Sequence, residues 1–153
     1  MPTMRRILFP TDFSERASAA WSYARLMSET FSAELCLLHV LQEPVAMLPE
    51  SSLAVAPPAV NLVELTRAAE EGLDRLRINP PGTIGDRSVR NGPAAEEIVR
   101  YAKEIEADLI VLGTHGRTGI AHALLGSVAE RVVRKAPCAV MTVRPHGHGA
   151  DDD

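Results

Sequence analysis

The sequence predicts a three-layer α/β fold, a five-stranded parallel sheet with helices on both faces. Four short runs, Arg6 to Pro10, Glu34 to Leu41, Ala107 to Leu112 and Cys138 to Val143, are largely apolar, without the polar alternation of half-exposed strands. That pattern belongs to strands covered on both faces. A fifth run, Thr83 to Arg90, is mixed in polarity and suits a sheet edge. Between the runs, apolar residues recur at spacings of three and four, and the strict alternation of the two patterns yields parallel strands joined by crossover helices.

Taken in order, Arg6-Ile-Leu-Phe-Pro10 stops at its proline, and Ser14 opens a helix reaching about Phe31. Ala17, Ala20, Ala24, Met27 and Phe31 form its sheet-facing stripe, with Trp21 packing beside it. The second strand ends near His39, which reads as a satisfied structural group or an exposed tip rather than a metal ligand, because no partner histidine is near. From Gln42 to Val60 come Pro44, Pro49, Pro57 and Pro58, which block regular structure. This loop could cover a ligand, and its apolar Val45, Met47, Leu48, Leu53 and Val55 either pack on the domain or meet a partner. Asn61 caps a helix to about Ile78 with Leu62, Leu65, Ala69, Leu73 and Leu76 on its apolar side. After the edge strand, Asn91-Gly92-Pro93 turns into a helix with Pro93 at its first position and Ala95, Ile98, Ala102 and Ile105 buried. The last helix buries Val128, Val132, Val133 and Ala136.

Composition limits what such a domain can do. The chain has 153 residues, 46% hydrophobic and 24% charged, which suits one domain over residues 1–145, followed by a flexible acidic tail at 146–153. Three charges of the net −4 come from Asp151, Asp152 and Asp153. No basic run is present and the aromatics number six (one Trp, two Tyr, three Phe), so nucleic-acid binding is not expected. The N-terminus lacks the long apolar segment of a signal peptide and no run is long enough to span a bilayer, so the expected place is the cytoplasm, without membrane contact. Cys36 and Cys138 sit in apolar runs with no metal-ligand spacing and read as buried thiols.

The chemistry concentrates in Gly113-Thr-His-Gly-Arg-Thr-Gly-Ile-Ala-His-Ala-Leu-Leu-Gly-Ser127, between the fourth strand and the last helix. A strand opening into a glycine-rich loop and a helix start presents backbone N–H groups to an anion, where the helix dipole favours negative charge. Gly113 and Gly116 permit left-handed backbone and close approach to phosphate, and Gly126 brings further N–H groups to the helix start. Ser127 is either a phosphate donor or, through Ser127-Val-Ala-Glu130, a helix cap. Arg117, with His115, either meets phosphate charge or is ordinary surface. The Walker pattern Gly-x-x-x-x-Gly-Lys is absent, and the spacing Gly113-x-x-Gly116-x-x-Gly119 is not that of a dinucleotide fold.

The segments Ile7-Leu-Phe-Pro-Thr-Asp-Phe-Ser14, Leu38-His-Val40, Asp108 to Arg117 and Gly126-Ser-Val128 together resemble the universal stress protein family, in its ATP-binding branch, from about Met4 to Arg144. The resemblance implies an adenine nucleotide alpha hydrolase-like, doubly wound sheet of order 3-2-1-4-5 and a homodimer through the Cys138 to Val143 strand. It implies ATP, with Mg2+, across the strand ends. Pro10, Thr11 and Asp12 would border the adenosine, with Asp12 a polar or metal-linked contact, and the backbone of Val40 would meet the adenine edge. Gly113, Thr114, His115, Gly116, Arg117, Thr118 and Gly119 would wrap ribose and phosphates, and Gly126, Ser127 and Val128 would close on the phosphate end. With that order, Cys36 and Cys138 stand three strands, roughly 14 Å, apart, beyond disulfide reach.

The function expected from this is an ATP-binding stress-response regulator whose nucleotide stabilises a homodimer or its state for binding an unidentified protein partner. The alternatives are a slow ATP-hydrolysing enzyme, with Asp12 or His115 positioning metal or water, and a nucleotide-free dimerisation adaptor. Hydrolysis has little support, because no phosphate-binding lysine accompanies a water-activating base.

Overall fold

The computed structural model describes residues 3–42, 61–114 and 125–145. The expected Gln42 to Val60 loop, beyond Gln42 itself, and the 146–153 tail lie outside the described residues. The described chain alternates β1 (Arg6–Pro10), α1 (Glu15–Phe31), β2 (Glu34–Leu41), α2 (Leu62–Asp74), β3 (Thr83–Asn91), α3 (Ala94–Glu104), β4 (Leu109–Gly113), α4 (Ser127–Lys135) and β5 (Ala139–Val143). All neighbouring strands pair in parallel, in the order β3-β2-β1-β4-β5. This is the doubly wound sheet and strand order expected. Among the described residues no helix is long and apolar enough to cross a membrane.

Because successive strand side chains alternate faces, each central strand feeds two cores. Ile7, Phe9, Leu35, Leu37 and Val111 pack with Ala20 and Ala24 of α1 and Leu73 of α2. Leu8, Cys36, Leu38, Ile110 and Leu112 pack with Ile98, Tyr101 and Ala102 of α3 and Ala129 and Val132 of α4. Trp21 rests on Phe9 at 5.3 Å between ring centroids, in the near-core place expected of it. Both cysteines are free, and burial raises both thiols above their ordinary values. They sit on or beside β2 and β5, which β1 and β4 keep apart.

Several element details depart from expectation. The α1 stripe runs Ala17, Ala20, Ala24 and Ser28, while Phe31 is 51% exposed. A serine is tolerated there because its hydroxyl donates to the Ala33 carbonyl at 2.6 Å. Helix α2 stops at Asp74 rather than near Ile78, as Arg75 and Leu76 bond back three residues in a tightened last turn. Leu76 and Ile78 still reach the core from irregular chain, which explains the extended apolar period. Only Ala69 and Leu73 of α2 are buried; Leu62 and Leu65 remain substantially exposed. Pro93 is the N-cap of α3, not its first helical residue, because its carbonyl already accepts the first helical bond, from Glu97. Val133 of α4 is exposed as well.

Edge strand β3 is tied to α3 by polar contacts. The Tyr101 hydroxyl donates to Asp86 at 2.5 Å, and Arg90 spans Glu104 with two bonds while its guanidinium lies 4.8 Å over the Tyr101 ring. Charges on an edge strand discourage pairing with another sheet.

Candidate nucleotide site

The sheet reverses its winding between β1, whose successor lies on one side, and β4, whose successor lies on the other. Crevices at such a point, beyond the carboxyl ends of the strands, are where ligands of open α/β sheets bind. One wall is the turn after β1. The Thr11 amide donates to the Leu38 carbonyl at 2.8 Å, the Thr11 hydroxyl accepts from the Phe13 amide and Asp12 Oδ1 accepts from the Ser14 amide, both at 3.0 Å. Ser14 then caps α1 by accepting from the Ala17 amide at 3.3 Å. Phe13, at the apex of this turn, takes the left-handed φ of 60°. His39, buried at the end of β2, donates from Nδ1 to the Thr11 carbonyl at 2.7 Å and stacks on the Phe13 ring, with centroids 4.7 Å apart. Of its two expected readings, the satisfied structural group is the one observed.

The facing wall comes from β4 and α4. Gly113 lies in register with Val143, and the Thr114 amide donates to the Val143 carbonyl at 3.0 Å. Gly113 therefore has strand backbone, not the left-handed geometry anticipated for it. The buried Thr114 carbonyl accepts from the Gly126 amide at 2.5 Å, so that amide is spoken for within the protein. Gly126 is the N-cap of α4 and no side chain caps that helix. Ser127 is thus the first helical residue and the expected capping box does not form; Glu130 instead pairs with Arg134 at 2.9 Å. The N–H groups of Ser127, Val128 and Ala129, in the first turn of α4, are the donors a helix start offers to an anion.

Between these walls lies a cavity of about 660 Å³. Its lining includes Pro10, Thr11, Asp12, Val40, Gly113, Thr114, Gly126, Ser127 and Val128, nine of the residues expected from the sequence, drawn from four separate stretches of chain. His115, Gly116, Arg117, Thr118 and Gly119 lie outside the described residues. Sequence reasoning missed Phe13, Leu65, Ala68 and Ala69 on one side and Ala94 and Ile98 on the other. A signal existed for Leu65: it falls on the apolar stripe of α2, yet it is 43% exposed and lines the cavity rather than the core.

The described lining carries no lysine or arginine, and Asp12 is its sole carboxylate. Among the described residues no cluster of three or more histidine, cysteine or acidic side chains could hold a metal ion unaided. A divalent cation would fit here only beside Asp12, with ligand oxygens completing its shell.

The family model described as the universal stress protein family matches residues 3–144. The chain belongs to the universal stress protein family. Among its relatives, universal stress protein MJ0531 of Methanocaldococcus jannaschii is 34% identical over 145 residues, covering 92% of this chain and 82% of the relative. The solved structure of protein MJ0577 from the same organism superposes with a TM-score of 0.76 at 28% identity, covering 95% of this chain and 99% of that one. A solved universal stress protein in complex with cAMP superposes with a TM-score of 0.61 at 22% identity, covering 94% of this chain and 98% of that one. At that identity the likeness is one of fold.

Proposed function

We propose that this universal stress protein is a regulator that holds an adenine nucleotide, ATP with Mg2+, in the crevice between β1 and β4. The observation that carries the reading is the convergence of Pro10 to Asp12, Val40, Gly113 and Thr114, and Gly126 to Val128 on one cavity, although they are scattered over more than a hundred positions. Its volume lies within the roughly 300–1,000 Å³ usual for small-molecule pockets. The base and ribose suit the Pro10 to Asp12 turn and the Val40 backbone, and the phosphates suit the uncapped start of α4 together with Gly116, Arg117 and Gly119 of the glycine stretch. That a fold neighbour carries cAMP supports this sheet as a nucleotide scaffold. The chemistry of the walls favours holding over hydrolysis. The described lining holds no lysine or arginine to fix a transferring phosphate beside a water-activating group.

In this reading the protein acts as a homodimer through the Cys138 to Val143 strand, presenting a nucleotide-dependent surface to a protein partner. The position of β5 at the sheet edge supports it, since an unpaired edge offers backbone groups to a second copy. The test is to purify the protein without added nucleotide, denature it and identify what is released by chromatography. An adenine nucleotide in the released fraction, or tight binding of added Mg-ATP, is the expected result; absence of both overturns the reading. Single-turnover assay with labelled ATP then distinguishes a holder from a slow ATPase, and sedimentation with and without Mg-ATP tests the dimer.

A further inference from the structure

Gly72 breaks a local rule. It lies inside α2, near its last turn, where alanine is intrinsically favoured over glycine, and the helix is otherwise made of ordinary helix formers. The space it leaves is filled from the nucleotide crevice: a Cβ at position 72 would come within 2.7 Å of Phe13 Cζ and 2.8 Å of Cε1. Phe13 is 40% exposed, so its ring can yield, but one face is stacked on His39 and its backbone is the left-handed apex of the turn that carries Thr11 and Asp12, so yielding breaks the stack or moves the turn. His39 in turn holds the Thr11 carbonyl. A contact chain therefore runs from the backbone of α2, through the Phe13 ring and His39, to the turn lining the crevice, and Phe13 and His39 both line the cavity themselves.

We propose that Gly72 is a positioning residue for nucleotide binding: by admitting the tip of the Phe13 ring against α2, it lets the Phe13–His39 stack hold the Thr11–Asp12 turn in the geometry that receives the ligand. The inference deepens the nucleotide reading and rests on it. A side chain at position 72 pushes the ring off His39 or carries the turn with it, and either movement displaces Thr11 and Asp12. A residue kept for helix structure alone has the opposite signature, since alanine at this position favours the helix.

The experiment is a double-mutant cycle read by isothermal titration with Mg-ATP, using Gly72→Ala, Phe13→Leu and the pair. The expected result is that Gly72→Ala weakens binding at least tenfold in the wild-type background. In the Phe13→Leu background, where the ring tip is gone, it weakens binding less than twofold. Equal losses in the two backgrounds, or no loss with Gly72→Ala, overturn the proposal. A second readout uses no ligand: the His39 ring protons, identified among the five histidines by their loss in His39→Gln, are expected upfield from the stacked phenyl ring and displaced in Gly72→Ala. An unmoved His39 signal overturns the proposal even if affinity falls. Failure of the wild-type protein to bind any adenine nucleotide overturns the nucleotide reading itself, and the ligand-free signal distinguishes that failure from a mistaken role for Gly72.

Discussion

At the scale of single residues, Asp108 shows how one side chain can set the sheet that carries the site. Its carboxylate accepts from the Arg5 amide at 2.7 Å and the Arg6 amide at 2.9 Å, fastening the start of β1 to the start of β4 at the end of the sheet opposite the crevice. The bonds from Arg6 and then Arg5 hold its carboxyl below the ordinary value of 3.8. A carboxyl lowered on folding contributes stability that is complete above its unfolded value and is lost as pH falls through the folded one. Asp108→Ala is expected to cost about 1–3 kcal/mol near neutral pH, the scale for lost bonds to a charged group, with the difference from wild type shrinking in acid below the ordinary carboxylate range. Denaturant unfolding at a series of pH values checks both. For ligand binding the residue to test is Gly116: Gly116→Val is expected to abolish nucleotide binding by filling phosphate space while leaving the oligomer unchanged, as measured by titration and sedimentation.

At the scale of elements, α4 separates structure from ligand chemistry. Ser127 has the sequence of a helix cap, yet Gly126 holds the cap position and no side chain closes the helix start. Replacing a true serine cap costs about 1 kcal/mol, so Ser127→Ala is expected to change stability by less than about 0.5 kcal/mol, the range of surface changes that touch no special feature. Its effect should appear in nucleotide affinity, as a loss of about fivefold to tenfold from one missing hydroxyl bond of about 1–1.5 kcal/mol. Paired unfolding and titration measurements distinguish the two, and a stability loss without an affinity loss would return Ser127 to the role of a cap. The same scale shows where periodicity misleads. The apolar stripe of α2 marks a core face only at Ala69 and Leu73; at Leu65 it marks the cavity.

For the whole molecule, ligand and fold are linked because the crevice exists only when β1, β2, β4 and α4 are assembled. A ligand bound only by the native state stabilises by about 2.7 kcal/mol at a hundred times its dissociation constant. For a chain of this size that corresponds to a rise in Tm of roughly 5–10 °C. Mg-ATP at that excess is expected to produce it in a thermal melt, and a smaller or absent rise with cAMP would define the phosphate requirement. The redox state should matter little, since Cys36 and Cys138 are separated by two intervening strands and both thiols are raised by burial.

Much of this was readable along the chain. Strand and helix alternation follows from local periodicity, so the layered α/β class and the Ser14 and Asn61 caps were legible along the chain, and the resemblance to the family supplied the nine wall residues that reach the crevice. Tertiary structure alone decided what depends on contacts between distant segments. It made Ser28 rather than Phe31 the buried end of α1, because the Ala33 carbonyl lay within reach of a hydroxyl. Gly126 lost its amide to Thr114, although the glycine pattern offered it to phosphate. Gly72 came to lie against a phenyl ring of the site's wall some sixty positions away, which no local pattern encodes, because packing is a property of the assembled fold rather than of neighbouring residues.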